Sequence, residues 1–459
     1  MALFSIPLSL PCVKPPSAVP TKNETSITSP QNLALDQKFV ISGGQQLSGR
    51  VEVSGSKNSA LAVLAGTLCC SAGPSLIRGV PDLADTRTMA DVLRSLGAKV
   101  EEMGDGDLMV DSREVGSVEP CEDAMGKIRA GFFVLGPLVA RFGEAEVSLP
   151  VVSIRRLRDG KVYVRAANGR GLVGAHFHLS FPSVGATETL MMAACMAEGV
   201  SVLTNAAQEP EVSDLAEYLV SCGACIEGAG TSKIVVTGRK HLHGSEFTII
   251  PDRIEAGTFM IAAAITRSSI TLSPVIPRHL QSLMDKLAIA GCKITQRGSR
   301  ILEVSAMPSR TGGDLQGFDL VTLPYPGFAT DLQPQCISLL ATCCGKSNIE
   351  ESVFENRMHH VKELQKLGAL IELNGNSASI EGRTPWNMAL RGCRVEAADL
   401  RGGAALVLAG MAAEGATEVG GVTHIDRGYQ ALETKLQSLG ANIKREVDSI
   451  HQSPLPVAH

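Results

Sequence analysis

Five basic residues stand where the chain enters helix-like runs of small residues, or in the turns beside them. Lys57 lies at the start of SKNSALAVLAG, Arg129 of IRAGFFVLGPLVARFG and Arg401 of LRGGAALVLAG, while Arg357 and Arg427 lie in VFENRM and HIDRGY. A helix start offers unpaired N–H groups and a partial positive charge. With guanidinium and ammonium groups added, it suits an anion, and five such cations could serve two phosphorylated ligands. Two carboxylates, Asp331 in FATDLQPQ and Asp399 in AADLRGG, occupy the same kind of segment. Any one of these charges alone is more often a solvated surface group, so the fold must bring them together.

The elements that would do so form a repeat. Six segments are rich in Ala, Gly and Leu: SKNSALAVLAGTLCCSAG from Ser56, IRAGFFVLGPLVARFGEAEV from Ile128, SVGATETLMMAACMAEG from Ser183, RIEAGTFMIAAAITRS from Arg253, FATDLQPQCISLLATCC from Phe328 and LRGGAALVLAGMAAEG from Leu400. Helices with so little polar face must be buried. A second motif reads Leu, three residues, Gly, two residues, then Val or Ile. It occurs at Leu93, Gly97, Val100; Leu219, Gly223, Ile226; Leu287, Gly291, Ile294; Leu364, Gly368, Ile371; and Leu436, Gly440, Ile443. The Leu packs the last turn of an amphipathic helix, the Gly takes a left-handed cap, and the β-branched residue opens a strand. In four cases a turn and a second strand follow (GDGDLMV, GAGTSKIVV, RGSRILEV and NGNSASIEG), which makes a hairpin. The implied fold is α/β, with six repeats of buried helix, capped helix and small sheet.

The second unit is short. From Gly223 the cap glycines are spaced 68, 77 and 72 residues apart, whereas Gly97 and Gly223, two units apart, are separated by only 126. Two full units would take about 144, so about 18 residues are wanting. The shortfall falls in Arg141–Lys161, RFGEAEVSLPVVSIRRLRDGK. The turn and outgoing strand survive as RDGKVYVRA, but the capped helix does not, so the second repeat is truncated near 150–161.

At 459 residues and 44% hydrophobic content, the chain can bury two sizeable cores. A net charge of −5 leaves no electrostatic footprint for nucleic acid, and 4% aromatic residues disfavour base-stacking platforms. No apolar run reaches the roughly 18 residues of a membrane span. Twelve cysteines with no disulfide-like spacing fit a reducing compartment. Cys222 and Cys225 form a lone CxxC around the cap Gly223, so repeat position explains them and no metal is expected. Residues 1–37 carry five prolines from Pro11 to Pro30, many Ser and Thr, and no acid before Glu24. They read as a transit peptide or disordered leader with a plastid-stroma address, and 448–459 as a tail.

Nine motifs, in order, give the chain a likeness: SGSKNSALAVLAG, KIRAGFFVLGPLVARFG, PSVGATETLM, QEPEV, PDRIEAGTF, FATDLQPQ, VFENRM, AADLRGG and HIDRGY. From Lys38 to Lys444 the chain resembles the enolpyruvyl transferases of peptidoglycan synthesis, the UDP-N-acetylglucosamine 1-carboxyvinyltransferase family. SKNSA, VFENRM and HIDRGY favour this branch over the sister enolpyruvyl-shikimate-phosphate synthases. The resemblance implies a two-lobed inside-out αβ barrel, three repeats to a lobe, helices inside and sheets outside. One lobe would span 57–249, the other 38–56 with 250–447. It implies enolpyruvyl transfer from phosphoenolpyruvate to the 3-hydroxyl of UDP-N-acetylglucosamine, by a monomer without cofactor, metal, nucleic acid or membrane span.

The same resemblance gives Lys57 and Asn58 as phosphoenolpyruvate contacts and Arg129 as a contact to the sugar nucleotide. Ser183, Val184 and Gly185 would bind its diphosphate and uridine, although Phe181 and Pro182 before them depart from a lysine and a hydrophobic residue found in some members. Val353 would line the substrate, and Arg357, Arg401 and Arg427 would supply the cationic wall. Asp331 would be the general base, because a carboxylate among cations stays ionised at neutral pH. Asp399 would sit beside Arg401, lining the site or serving as a structural partner.

The reaction also needs an acid, in this family usually a cysteine and sometimes an aspartate, on a loop straight after the SLP strand. Here Leu149 and Pro150 run into Val151-Val152-Ser153-Ile154-Arg155-Arg156. The loop cysteine, the loop arginine, the nucleotide-contacting run and the following helix have no counterpart. Cys121 lies on the wrong side of the strand, and neither Arg155 nor Arg156 is an acid at useful pKa. Two expectations follow: an impaired transferase, or a non-catalytic sugar-nucleotide-binding protein. The first lobe should also be less stable than that of a complete chain.

Overall fold

A helix with small apolar residues on every face has no side to turn to water, and four of the six inner helices are almost wholly buried, while those at Leu135–Phe142 and Val184–Ala194 are about half buried. The computed structural model describes residues 37–148, 161–166, 171–306, 314–383 and 390–447. Residues 1–36, 448–459 and the run Val151–Arg156 lie outside these. The inner helices are α1 (Lys57–Gly66), α2 (Leu135–Phe142), α3 (Val184–Ala194), α4 (Arg253–Ile265), α5 (Gln333–Leu340) and α6 (Leu400–Ala412). In α1 only Asn58 escapes burial, and in α4 only Arg253. Ser56, Ser183, Asp252 and Asp399 cap α1, α3, α4 and α6 by accepting backbone N–H groups. The other two start later than expected. The segments from Ile128 and Phe328 enter as 3-10 turns, Arg129–Val134 and Thr330–Leu332, before α2 and α5 begin. Proline has no N–H and is tolerated only in a first turn, so Pro137 and Pro334 fix these later starts.

The capped helices form as expected. Gly97, Gly223, Gly291, Gly368 and Gly440 have φ of 101°, 97°, 108°, 93° and 100°. Leu93, Leu219, Leu287, Leu364 and Leu436 are wholly buried beneath them. Cys222 terminates its helix beside the cap and lies against Cys70 and Tyr218. Among the described residues no cluster of His, Cys, Asp or Glu could hold a metal ion.

A complete unit carries a four-stranded sheet. In the fourth, Ser269–Ser273 pairs antiparallel with Leu302–Ser305, which pairs in turn with Lys293–Gln296. Ser48–Glu52, the strand leading to α1, runs parallel to Ser269–Ser273 on the other side. The first, third and fifth units repeat this order, and in the sixth the N-terminal strand Gln37–Ser42 inserts between Ala416–Gly420 and Asn442–Val447. No sheet among the described residues closes on itself. In the second unit Glu144–Ser148 pairs with Lys161–Arg165 as a two-stranded sheet. Twelve residues separate the last pair, Ser148 and Lys161, against 26 to 30 at the matching positions of the first, third, fourth and fifth units. The deficit is therefore about 14 to 18 residues, and the estimate from glycine spacing sits at its upper end.

Buried apolar side chains gather into two clusters. One runs from Ala60 to Ile249, and the other joins Phe39–Val53 to Ile254–Ile443. The chain passes between them twice, side by side. Gly55 bridges Pro251, Ser56 N–H donates to the Ile250 carbonyl at 2.7 Å, and Asp252 N–H donates to the Ser54 carbonyl at 2.8 Å. Gly55 is needed there, because a Cβ would come within 1.9 Å of the Gly79 carbonyl oxygen.

Candidate active site

The starts of α1 and α4 share one carboxylate. Asp252 Oδ1 accepts from Ile254 and Glu255 N–H at 2.7 and 3.0 Å, and Oδ2 accepts from Lys57 N–H at 3.1 Å. This pins the first turn of α1 against the crossing. The Lys57 side chain is buried, with Nζ 2.8 Å from Asp85 Oδ2. Asp85 Oδ1 accepts from Arg427 Nε at 2.8 Å, and Arg427 Nη2 also donates to the Lys127 carbonyl at 3.3 Å. Asp85 lies in the first turn of the helix Ala84–Ser95. It thus joins one cation from each cluster. Burial lowers the Lys57 pKa, Asp85 opposes this, and Arg401 and Asp331 also act on it through space.

Asp331 anchors a second group. Its Oδ1 accepts from Arg357 Nη2 at 2.7 Å, and its Oδ2 accepts from Arg401 Nε and Nη2 at 3.1 and 2.9 Å. Burial works against the carboxylate charge, but Arg401, Arg357 and Lys57 outweigh it and hold the group well below the usual range. Asp331 is therefore ionised at neutral pH. Arg401 is 2% exposed and lies 5.2 Å from the centre of the Tyr429 ring. The Tyr429 hydroxyl is held by Thr258 and Gln335 at 3.0 and 2.9 Å. Gly428 makes room for this stack, because a Cβ there would sit 2.3 Å from Leu400 Cδ1 and 3.5 Å from Arg401 Nη1. Among the described residues Arg401 Nη1 and Arg357 Nε are buried without a hydrogen-bond partner, Arg401 lying against Tyr429. Buried donors left open beside an ionised carboxylate suit an anionic ligand.

The clusters also meet at an aromatic ring. Arg129 and Arg357 lie 5.5 and 4.5 Å from the centre of Phe354. Glu351 Oε1 shapes that turn, accepting from Val353 and Phe354 N–H at 2.9 Å each. So the expected residues Lys57, Arg129, Asp331, Val353, Arg357, Arg401 and Arg427 fall into one connected neighbourhood. Ser183, Val184 and Gly185 form the start of α3, where Ser183 accepts from Ala186 N–H at 3.4 Å and Gly185 abuts Phe133. Among the described residues neither they nor Asn58 hydrogen bond to the charged groups. Asp399 is the helix cap, its Oδ1 accepting from Arg401 and Gly402 N–H at 2.9 Å each, while the Arg401 guanidinium turns to Asp331. Asp399 therefore meets Arg401 through the backbone N–H and not through the guanidinium.

Asp85, Asp252 and Phe354 were not singled out by sequence. Phe354 and Asp252 lie inside motifs already marked, VFENRM and PDRIEAGTF, which was the available signal. Asp85 sits in DLADTRT and looks like an ordinary first-turn acid.

Comparison with known proteins places these motifs. The model of the EPSP synthase (3-phosphoshikimate 1-carboxyvinyltransferase) family matches residues 41–153 and 152–436, two pieces that meet at the truncated unit. The UDP-N-acetylglucosamine 1-carboxyvinyltransferase 2 of Carboxydothermus hydrogenoformans is 47% identical over 429 residues, covering 90% of this chain and all of that one. The UDP-N-acetylglucosamine 1-carboxyvinyltransferases of Gloeobacter violaceus and Synechocystis are 44% and 45% identical, covering 94% and 88% of this chain and 95% and 94% of theirs. Among solved structures, the enolpyruvyl transferase NikO from Streptomyces tendae superposes with a TM-score of 0.79 at 27% identity, over 90% of this chain and 99% of that one. EPSP synthase from Acinetobacter baumannii shares the fold, with a TM-score of 0.69 at 17% identity over 90% of this chain and all of that one. With its cations and Asp331 drawn into one neighbourhood and its length matched by these relatives, the chain belongs to the UDP-N-acetylglucosamine 1-carboxyvinyltransferase family of enolpyruvyl transferases.

Proposed function

We propose that this neighbourhood binds phosphoenolpyruvate and UDP-N-acetylglucosamine for enolpyruvyl transfer, and that the chain as it stands performs the transfer poorly. The carrying observation is the ionised Asp331, set between two arginines that each keep a nitrogen without a hydrogen-bond partner among the described residues. Asp331 takes the proton of the sugar 3-hydroxyl as its oxygen bonds to C2 of the enol. Lys57, Arg427 and Arg401 hold the phosphate and carboxylate. C3 must gain a proton at the same time. Phosphate then leaves from C2 while C3 gives up a proton, restoring the double bond. At the start of α3 the N–H groups of Val184 and Gly185 have no partner among the described residues and would take the diphosphate, with Ser183 beside them. The two apolar clusters act as two lobes, 57–249 and 38–56 with 250–447, and the monomer is the working form.

The step without a residue is protonation of C3. The connection after Ser148 is too short to carry the family's donor loop and helix. Cys121, the one exposed cysteine among the described residues, sits before the helix Glu122–Lys127 with its N–H on Ser95. Loss of a general acid costs about 10²–10⁴ in rate. Phosphate release from phosphoenolpyruvate and the sugar nucleotide should therefore rise at least about 10²-fold when the relative's residues are restored between Ser148 and Lys161. Equal turnover by both forms would remove the impairment, and no turnover by either would remove the function. The short connection also favours a second reading, a non-catalytic binder of the sugar nucleotide. Calorimetry with the unaltered chain tests it, and undetectable binding sinks it. Cyanobacterial relatives accord with a plastid-stroma location, which import of a reporter fused to residues 1–37 would show directly.

A further inference from the structure

Lys57 opens α1, and past the other end of that helix two cysteines far apart in the chain meet. Cys70 opens the strand Cys70–Ala72, which runs parallel to Leu242–His243 with Cys70 opposite Leu242. Cys222 ends the capped helix Pro210–Ser221, and its carbonyl accepts from His243 N–H at 3.0 Å. One short strand thus holds both residues, and their thiols hydrogen bond to each other. The Tyr218 hydroxyl stands 3.5 Å from Cys70 Sγ and 2.8 Å from Ser75 Oγ. Both cysteines are buried, yet Ser221 and Gly223 on either side of Cys222 are exposed, and so is His243. The pair therefore lies just beneath the surface. Its contact also makes the two thiols unlike. The hydrogen bond with Cys222 lowers the Cys70 thiol against the effect of burial, with Tyr218 and Ser75 adding to it. Cys222 is raised, by its bond to Cys70 and by burial.

We propose that Cys70 and Cys222 form a redox-active pair, closed to a disulfide by hydrogen peroxide and reopened by a thiol reductant. In the first step the Cys70 thiolate attacks one peroxide oxygen. The O–O bond breaks, the departing hydroxide takes up a proton to become water, and Cys70 is left as a sulfenic acid. Cys222 sulfur then attacks Cys70 sulfur. The S–S bond forms as the S–O bond breaks, and the hydroxide leaves with the Cys222 proton as a second water. The two thiols give up two electrons, which reduce one peroxide to two waters. Around the pair, α1 packs on Pro210–Ser221, where a Cβ on Gly66 would meet Leu215 and Tyr218. The bond staples the exit of α1, in the first unit, to the capped helix of the third, the units on either side of the short one. The inference owes nothing to the catalytic reading, so either can fail alone.

The full chain is reduced, freed of reductant and treated with hydrogen peroxide at neutral pH without denaturant, and its remaining thiols are then alkylated. Non-reducing peptide mapping by mass spectrometry should find Cys70 joined to Cys222, and dithiothreitol should restore both thiols. In Cys222→Ser the Cys70 sulfenic acid has no resolving thiol, so dimedone should label Cys70. In Cys70→Ser dimedone should leave Cys222 unlabelled. Circular dichroism checks that each variant folds, and the map of the unaltered chain decides the matter where one does not. The oxidised chain should also unfold at a temperature about 5 °C higher than the reduced one, because the bond restricts the unfolded chain. No Cys70–Cys222 link, a link of either residue to another cysteine instead, or a link that needs denaturant would each overturn the proposal. So would a folded Cys222→Ser in which Cys70 takes no dimedone, and an unchanged midpoint would remove the staple.

Discussion

Lys57 and Arg427 are 370 positions apart in the chain and meet on one carboxylate. Asp85 does more than neutralise them, because with Asp331 it opposes the lowering of the Lys57 pKa by burial. In Asp85→Asn the Lys57 pKa should fall further. Affinity for phosphoenolpyruvate, measured by calorimetry with the sugar nucleotide present, should then begin to fall at a lower pH than in the parent as the pH is raised. A flat profile would separate Asp85 from the ionisation of Lys57. Asp214 poses the opposite case. It accepts from the Ser59 hydroxyl and, at 3.4 Å, from Ile250 N–H beside the crossing. Burial nevertheless pushes its carboxyl up to about 7, with Glu217 and Glu211 adding to the rise. A folded pKa above the unfolded value gives stability that is present below about pH 4 and lost as pH climbs to about 7. Relative to the parent, Asp214→Asn should therefore gain by a few kcal/mol across that window and change no further above it. Urea midpoints measured from about pH 4 to 8 would show a constant difference if Asp214 does not titrate there. At this scale the motifs disclosed Lys57, Asp331 and the arginines because each sits in a distinctive local run. Asp85 stayed hidden because its role depends on a partner 342 residues away.

The capped helices show how far local chemistry reaches. Five glycines were expected in a left-handed conformation from a three-residue pattern, and all five adopt it, since no other residue takes that conformation cheaply. Gly291 gives a clean test. A Cβ there would meet Leu315 Cδ2 at an ordinary 3.6 Å, so Gly291→Ala adds backbone strain without a clash. It should cost about 1–2 kcal/mol in chemical denaturation, and no measurable loss would contradict the cap. The later starts of α2 and α5 were also written in the sequence, in Pro137 and Pro334, but small-residue composition masked them. Composition reports burial, whereas the first turn is set by which residue lacks an N–H. Asp399 shows the converse limit. An acid just before a basic helix start is equally a cap or an ion-pair partner, and only coordinates show which atoms it meets.

Across the whole molecule, the second unit differs from its sister units: among the described residues Lys161–Arg165 pairs on one side only, and Phe177 is 51% exposed. Restoring about 16 residues there should raise the thermal midpoint by on the order of 5 °C, read by differential scanning fluorimetry. Equal midpoints would mean that the short connection already satisfies the unit. The two crossings make the cleft chemistry depend on packing elsewhere, because Asp252 and Asp214 tie the start of α1 to the chain passing between the clusters.

The inner and capped helices, their glycine caps and the cationic motifs were legible in the chain because each is encoded within some twenty residues by backbone preference or burial, and the short second repeat because the spacing of those caps is regular. Which charges share a partner was settled by the fold. It put Asp331 between Arg357 and Arg401, Asp85 between Lys57 and Arg427, and Phe354 beside Arg129 and Arg357. It also assigned Asp399 to a helix cap. Ion pairs and stacks act over a few ångströms, and sequence distance carries no information about which groups the fold brings that close.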